Sequence, residues 1–122
     1  MNRATLIGNL GQDPEIKPMS NGKEMALLPV ATSERWKDKA TGKDRQEVQW
    51  HRVAVFEPKL VEYAKKELRK GSFVRLEGKI VNQKYTGEDG VERYSSQIQL
   101  SGPQALLMSA GRERSNEAKQ GR

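Results

Sequence analysis

The sequence predicts an all-β domain with one helix, arranged as a small barrel of five strands in which the helix lies between strands 3 and 4. Three observations lead to this prediction. Alternating apolar residues mark three strands before residue 57 and two more after residue 71. The segment with helical periodicity lies between these two groups. Glycines interrupt the strands, as they do at barrel corners, where the backbone bends sharply.

The first strand covers residues 3–10. Gly8 and Gly11 predict a bulge or a tight bend near its end. An Asp-Pro pair at residues 13–14 then ends the strand. Asn21-Gly22 predicts a type I′ hairpin turn, because both residues tolerate the positive φ angles of that turn.

The second and third strands are predicted at residues 25–33 and 48–56. Pro29 has no N–H to donate to a ladder, so we expect its part of the second strand at an edge or a bulge. The segment between the strands, residues 34–47, has no apolar periodicity and carries an excess of basic residues around Gly42. We interpret it as a long, mobile hairpin arm.

The two faces of the third strand differ in chemistry. One face carries two aromatic rings and a guanidinium and consists of Val48, Trp50, Arg52, Ala54 and Phe56. The other face carries His51, Val53 and Val55 and looks like half of a core. Large aromatic side chains beside a cation are unfavourable in water unless a flat, anionic ligand covers them, and single-stranded nucleic acid is such a ligand.

The helix and the last two strands follow. Pro58 suits the first helical turn, Leu60, Ala64 and Leu68 form the apolar stripe, and Gly71 is the expected C′ residue. Strands are predicted at residues 72–85 and 93–100, the latter with Tyr94, Ile98 and Leu100 on its apolar side, and an apolar patch at residues 106–108 is expected to pack back. Residues 1–110 thus form one domain, and residues 111–122 are predicted to be a disordered polar tail.

Three strands, a helix and two strands is the element order of an OB-fold, a five-stranded Greek-key barrel that binds oligonucleotides on one face. The composition fits this class of domain: 122 residues carry 22 basic and 16 acidic side chains, a net charge of +6. The absence of cysteine excludes disulfides and thiolate metal sites, and one histidine cannot form a metal cluster. We expect no metal, no cofactor, no small-molecule substrate and no membrane span.

Candidate ligand-binding residues are aromatic and basic. Four aromatic residues are predicted to stack on bases: Trp36, Trp50, Phe56 and Tyr85. Seven basic residues are predicted to contact phosphates: Lys37, Lys39, Lys43, Arg45, Arg52, Lys79 and Lys84. His51 is predicted at a subunit interface, since it alternates onto an apolar face. No residue pattern suggests catalysis, because no Ser or carboxylate has a histidine at a suitable spacing, so we expect no enzyme activity.

Several segments resemble the bacterial and mitochondrial single-stranded DNA-binding proteins (SSB). They are LIGNLGQDPE at residues 6–15, ATSERW at 31–36, WHRV at 50–53 and LRKGS at 68–72. The resemblance spans about residues 2–102 and implies an OB-fold homotetramer that wraps single-stranded DNA. It also implies stacking at Trp36, Trp50 and Phe56, and a subunit contact at His51.

The sequence departs from the family pattern at three places. The family's fourth stacking position is usually tryptophan and is Tyr85 here, which predicts weaker stacking. Val81 and Gln83 stand where bacterial members have two basic residues, so fewer backbone contacts are expected. The sequence ends in a basic polar segment instead of the acidic tip of bacterial members. Mainly because this acidic tip is missing, we favour a mitochondrial-type member of the matrix nucleoid, without its transit peptide, over a bacterial cytoplasmic one. A plasmid or phage member, or a trimmed chain, stays open as an alternative.

The predicted function is sequence-independent binding of single-stranded DNA during replication, recombination and repair, with replication proteins such as a polymerase or a helicase as expected partners. Three alternatives stay open. An RNA-binding OB module would prefer poly(U) to poly(dT). A protein scaffold that retains the fold would leave tryptophan fluorescence unchanged by oligo(dT). A metal-dependent nuclease would cut labelled DNA in Mg²⁺, although no carboxylate cluster suggests this.

Overall fold

The computed structural model of the chain describes residues 1–111, so the predicted disordered tail lies outside the described residues from position 112 onward. Within these residues, seven strands and one helix follow in chain order. The strands are β1 (Ala4–Leu10), β2 (Glu15–Pro18), β3 (Glu24–Lys37), β4 (Asp44–Val55), β5 (Phe73–Thr86), β6 (Glu92–Leu100) and β7 (Leu106–Ser109). The helix α1 (Pro58–Glu67) lies between β4 and β5. Within residues 1–111, no helix has the length and apolar character needed to cross a membrane.

Five of the strands close into a barrel. Their order is β1-β3-β4-β6-β5, and β5 pairs with β1 to complete the ring. All of these pairings are antiparallel except β4–β6, which is parallel. This is the predicted OB-fold, with the helix between its third and fourth barrel strands. The prediction missed β2, which pairs with β3, and it gave the apolar patch at residues 106–108 no strand, whereas β7 pairs there with β5.

The barrel core is aliphatic. Its largest fully buried side chains are Leu10, Leu28, Leu68, Leu76, Leu100, Val30, Val53, Val55 and Val74. The helix contributes Val61 and Ala64 to this core. Pro58 occupies its first turn, as predicted, where a missing N–H has no cost. Burying these side chains against the strands stabilises the domain by about 1.5–3 kcal/mol for each large aliphatic residue.

The end of the helix differs from the prediction. The C-cap residue is Leu68, whose backbone is extended, and Gly71 lies three residues further along, so it is not the C′ residue. Gly71 has φ +91° and belongs to a turn in which Ser72 N–H donates to the Arg69 carbonyl. Although Leu68 leaves the helical path, its side chain stays in the core, where it is 1% exposed.

Two local features of the strands decide where pairing stops. Pro29 lies on β3 between two pairing partners. The pairing of β3 with β2 ends at Leu27 and its pairing with β1 begins at Val30, so neither ladder includes Pro29. Its missing N–H therefore leaves no bond unmade, as expected for a local edge. Gly8 lies against the neighbouring strand, where a Cβ would be 2.2 Å from the Ala31 carbonyl oxygen. Glycine is required there because the two backbones cross closely at a barrel corner.

The first hairpin is closed by a different turn from the predicted type I′. Gly22 N–H donates to the Met19 carbonyl, so Ser20 and Asn21 are the central residues and Gly22, at φ +84°, follows them. A second bond from Met19 N–H to the Lys23 carbonyl makes this a three-residue loop. Glycine takes the left-handed position that such loops require.

Candidate nucleic-acid interface

Two two-stranded arms leave the same end of the barrel. Parallel pairing of β4 with β6 joins only residues Val53 to Val55 with Ile98 to Leu100. Because the two strands run in the same direction, their earlier parts extend from the same end and separate from each other. The β3–β4 arm comprises residues 32–52, and the β5–β6 arm comprises residues 81–97. The space between them is referred to below as the fork.

The β3–β4 arm is a regular ladder, which the sequence did not predict. Pairing continues without a bulge to Lys37 opposite Asp44, beyond the predicted strand ends at residues 33 and 48. The turn is fixed by Asp38, whose carboxylate accepts the Ala40 N–H at 2.8 Å and whose carbonyl accepts the Gly42 N–H at 2.7 Å. Apolar alternation stops at residue 33 because both faces of the arm meet solvent, and backbone pairing does not require it.

Each arm has two faces, and the ladder register assigns every residue to one of them. The inner face continues the barrel interior past Val53 and Ile98, and the outer face continues the barrel exterior. Trp50 lies opposite Ala31 and belongs to the outer face with Arg52. Trp36 lies opposite Arg45. Arg45 is five residues from Trp50 on the same strand, and because this number is odd, Arg45 and Trp36 belong to the inner face. The two tryptophans are therefore on opposite faces of one arm.

The Trp50 ring occupies space that a glycine leaves open. Its side chain is 63% exposed, and its ring edge lies over Gly11, just after β1. A Cβ at Gly11 would be 2.4 Å from Cζ3 and 2.6 Å from Cη2 of the indole. Any side chain at Gly11 would therefore displace the ring. The sequence suggested only a bend at this glycine, and no local signal indicated its contact with a residue so distant in the chain.

The fork contains an open depression of about 700 Å³. It is lined by Arg52 from one arm and by Gln83, Lys84, Tyr85 and Ser95 from the other. Tyr85 is 50% exposed, and alternation from Lys79 puts these two residues on the outer face of β5, as predicted. Trp50, Arg52 and Tyr85 therefore share the outer face, and two of them line the same depression.

The predicted phosphate contacts differ in their present partners. Arg45 pairs with Asp38 at 3.3 Å, and Lys84 pairs with Glu92 at 3.1 Å, so both would have to exchange a carboxylate for a phosphate. Five others form no ion pair among residues 1–111: Lys37, Lys39, Lys43, Arg52 and Lys79. Lys39 and Lys43 lie in the exposed turn of the β3–β4 arm. Away from the fork, the hydrogen bond from Lys65 to Glu24 raises the pKa of that lysine.

Phe56 and His51 are placed differently from the fork residues. Phe56 follows the last residue of β4, is half-buried, and donates its N–H to the Leu100 carbonyl, away from the lining of the depression. His51 lies on the inner face, half-buried, and its Nε2 is 2.9 Å from the Thr32 hydroxyl. This hydrogen bond joins β3 to β4 and orients the imidazole within the arm.

Tyr94 corrects one sequence-based expectation. Alternation assigned it to an apolar side with Ile98 and Leu100, and the register keeps it on that face, yet its side chain is 71% exposed. The reason is that β6 joins the barrel only at Ile98, so the earlier part of its inner face, including Tyr94, meets solvent. Among residues 1–111, no group of three or more His, Asp or Glu side chains could hold a metal ion.

The chain is similar to a known family and to a solved structure. Residues 1–106 match the model of the single-strand binding protein family. The fold also matches a structure described as Plasmodium falciparum SSB in complex with ssDNA, with a TM-score of 0.83 and 30% sequence identity over 89% of this chain and 94% of that one. With a barrel of this topology and a family match over most of its length, the chain belongs to the single-strand binding protein family.

Proposed function

We propose that the protein binds single-stranded DNA without sequence preference and so protects it and holds it open during replication, recombination and repair. The observation that carries this proposal is the fork, where Trp50, Arg52 and Tyr85 share the outer face and Arg52 and Tyr85 line an open depression. The similar Plasmodium structure, by its description, contains single-stranded DNA, which supports the same ligand here.

The chemistry of the fork suits a strand whose bases are unpaired. Exposed rings offer flat surfaces on which any base can stack, and each stack contributes about 1–3 kcal/mol. Arg52 can neutralise a phosphate, and Lys37 on the same face of the arm extends the positive charge toward its tip. Paired DNA would bury its base faces inside the duplex, so the rings select the single strand. Binding is an equilibrium in which no covalent bond is made or broken.

A titration of the intrinsic tryptophan fluorescence with dT oligomers tests this function. We expect strong quenching, because Trp36 and Trp50 are exposed and would stack on bases. We also expect the logarithm of the affinity to fall with the logarithm of salt concentration, by about 0.7 for each phosphate contact. Unchanged fluorescence together with no retention of labelled DNA would contradict the proposal.

Two further measurements separate single-stranded DNA binding from an RNA-binding module and from a nuclease. Poly(U) that competes better than poly(dT) at equal salt would favour an RNA ligand, because a protein distinguishes RNA from DNA by the 2′-hydroxyl. Poly(dU) is included because it lacks the thymine methyl group and so separates the effect of that group from the effect of the sugar. Incubation of labelled DNA with the protein and Mg²⁺ tests for a nuclease, and we expect the DNA to stay intact.

We further propose that the chain forms a homotetramer. Ile7 on β1 and Met108 on β7 each lie beside Arg75 on β5, one on either side. Both apolar side chains are about half exposed, and their contact with water is unfavourable. A hollow of about 470 Å³ lies beside Ile7 and is also lined by Phe73 and Ala110. A second copy of the chain would cover this surface, and the predicted subunit contact at His51 belongs to the same proposal.

Mass measurement in solution tests the tetramer. We expect the wild-type protein in solution to have four times the mass of one chain. Ile7→Arg is expected to shift the protein to smaller species, because a charge buried in the interface without a partner is unfavourable. Val91→Arg is the matched control, since Val91 is equally exposed but lies in the turn of the β5–β6 arm. A monomeric wild type would contradict the tetramer and leave DNA binding standing.

A further inference from the structure

Tyr94 is an exposed aromatic residue on the inner face of the β5–β6 arm. Its side chain is 71% exposed, and it stands on β6 four residues before Ile98, where the buried core begins. At ~3.3 Å per residue this puts it ~13 Å beyond the barrel. Tyrosine buried in a core or a cross-strand cluster would stabilise the domain, but this ring faces solvent. Exposure alone does not imply a ligand, but it leaves the ring free to stack on one.

The position of Tyr94 relative to Tyr85 is the second observation. Tyr85 pairs with Arg93, so Tyr94 is at the next position of the ladder and on the opposite face. The two rings thus occupy both sides of the β5–β6 arm at almost the same height. The other arm also carries a ring on each face, with Trp50 on the outer face and Trp36 on the inner face five ladder positions nearer the turn.

The third observation is the free edge of β6. Pairing with β4 begins only at Ile98, so residues 92–97 present an unpaired edge to the fork. Nothing in the ladder therefore blocks a strand that passes between the arms around this edge. On the inner side, Lys84 lies directly across from Tyr94, and a hydrogen bond between Ser96 and Asn82, 2.7 Å long, forms the next polar step toward the barrel.

We infer that Tyr94 is a further base-stacking residue, and that a single strand passes through the fork from Tyr85 on the outer face to Tyr94 on the inner face. The inference rests on the proposed function and extends it to a second surface. A base stacked on Tyr94 would bring its phosphate within reach of Lys84, which would then exchange Glu92 for the DNA backbone. Trp36 on the inner face of the other arm would continue the path.

Replacement of Tyr94 tests the inference. With a dT oligomer of about 16 nucleotides, the upper range for one OB domain, Tyr94→Thr is expected to raise the dissociation constant about 5- to 30-fold. Threonine keeps the strand propensity, and loss of an exposed ring should leave the melting temperature nearly unchanged. Tyr94→Phe keeps the ring and should bind within about threefold of wild type. Val91→Thr, in the adjacent turn, controls for loss of exposed apolar area.

Photocrosslinking uses the wild-type protein, so its result does not depend on whether a variant folds. DNA that contains 5-iodouracil is expected to crosslink to Tyr94 as well as to Trp50 and Tyr85. Crosslinks confined to the outer-face rings, with Tyr94→Thr binding as tightly as Val91→Thr, would overturn the inference and leave the proposed function intact. A wild type that does not bind oligo(dT) at all would instead contradict the proposed function.

Discussion

Replacing Trp50 with alanine is expected to weaken binding of oligo(dT) by about 1–3 kcal/mol, or roughly 5- to 150-fold in the dissociation constant. The indole is 63% exposed and lies on the outer face beside Arg52, so its loss removes a stacking surface but little of the core. We expect the melting temperature to change by no more than a few degrees, since surface substitutions rarely exceed about 0.5 kcal/mol. Fluorescence anisotropy of a labelled oligomer measures the change.

Val48→Ala is the matched control for this experiment. Val48 is on the same strand and the same face, two residues from Trp50, and is 46% exposed, but it has no ring. It is expected to change the dissociation constant less than about threefold, whereas Trp50→Phe should retain part of the affinity. Equal losses in Trp50→Ala and Val48→Ala would mean that apolar area, not stacking, holds the strand.

Alternation along a single strand was the most reliable guide to the site. It placed Trp50 with Arg52, and Lys79 with Tyr85, on common faces before any fold was considered, and the ladders keep both pairs. The reason is covalent: successive side chains of an extended strand point to opposite faces, so the grouping holds wherever no bulge intervenes. The predicted role of each residue in binding stays a prediction, as does the mitochondrial location.

Relations between strands were not accessible from the sequence. The fork exists because β4 and β6 pair in parallel over three positions, and this pairing joins residues about 45 positions apart. The same long-range geometry decides that Trp36 and Trp50 occupy opposite faces, since only the register across the turn fixes the parity. Contacts of this kind depend on the whole fold, whereas periodicity reports only the local backbone.

Burial also could not be read from alternation alone. Tyr94 and Ile98 share a face of β6, but one is 71% exposed and the other 8%. An apolar face is buried only as far as another element covers it, and the β5–β6 arm extends past the barrel. The charge pattern likewise did not show which basic side chains are free to bind phosphate, because Arg45 and Lys84 already pair with carboxylates that the sequence did not reveal.

Gly11→Ala is expected to reduce DNA binding in the same way as Trp50→Ala but to a smaller extent, by about 3- to 30-fold, while leaving the domain folded. The added Cβ would lie 2.4 Å from the indole, so the ring must leave its present position. Because Trp50 is exposed, the ring can rotate into solvent instead of straining the backbone, and the free energy of unfolding should change little. Binding suffers because the displaced ring no longer presents its face beside Arg52.

A double-mutant cycle decides whether Gly11 acts through Trp50. If it does, adding Gly11→Ala to Trp50→Ala should change the dissociation constant less than about twofold, since the ring to be displaced is already gone. The coupling free energy would then equal nearly the whole effect of the single glycine substitution. Additive losses would show that Gly11 contacts DNA directly or shapes the barrel rim. If the losses are instead not additive, the binding face depends on a glycine that contacts no ligand, because that glycine leaves room for the ring that does.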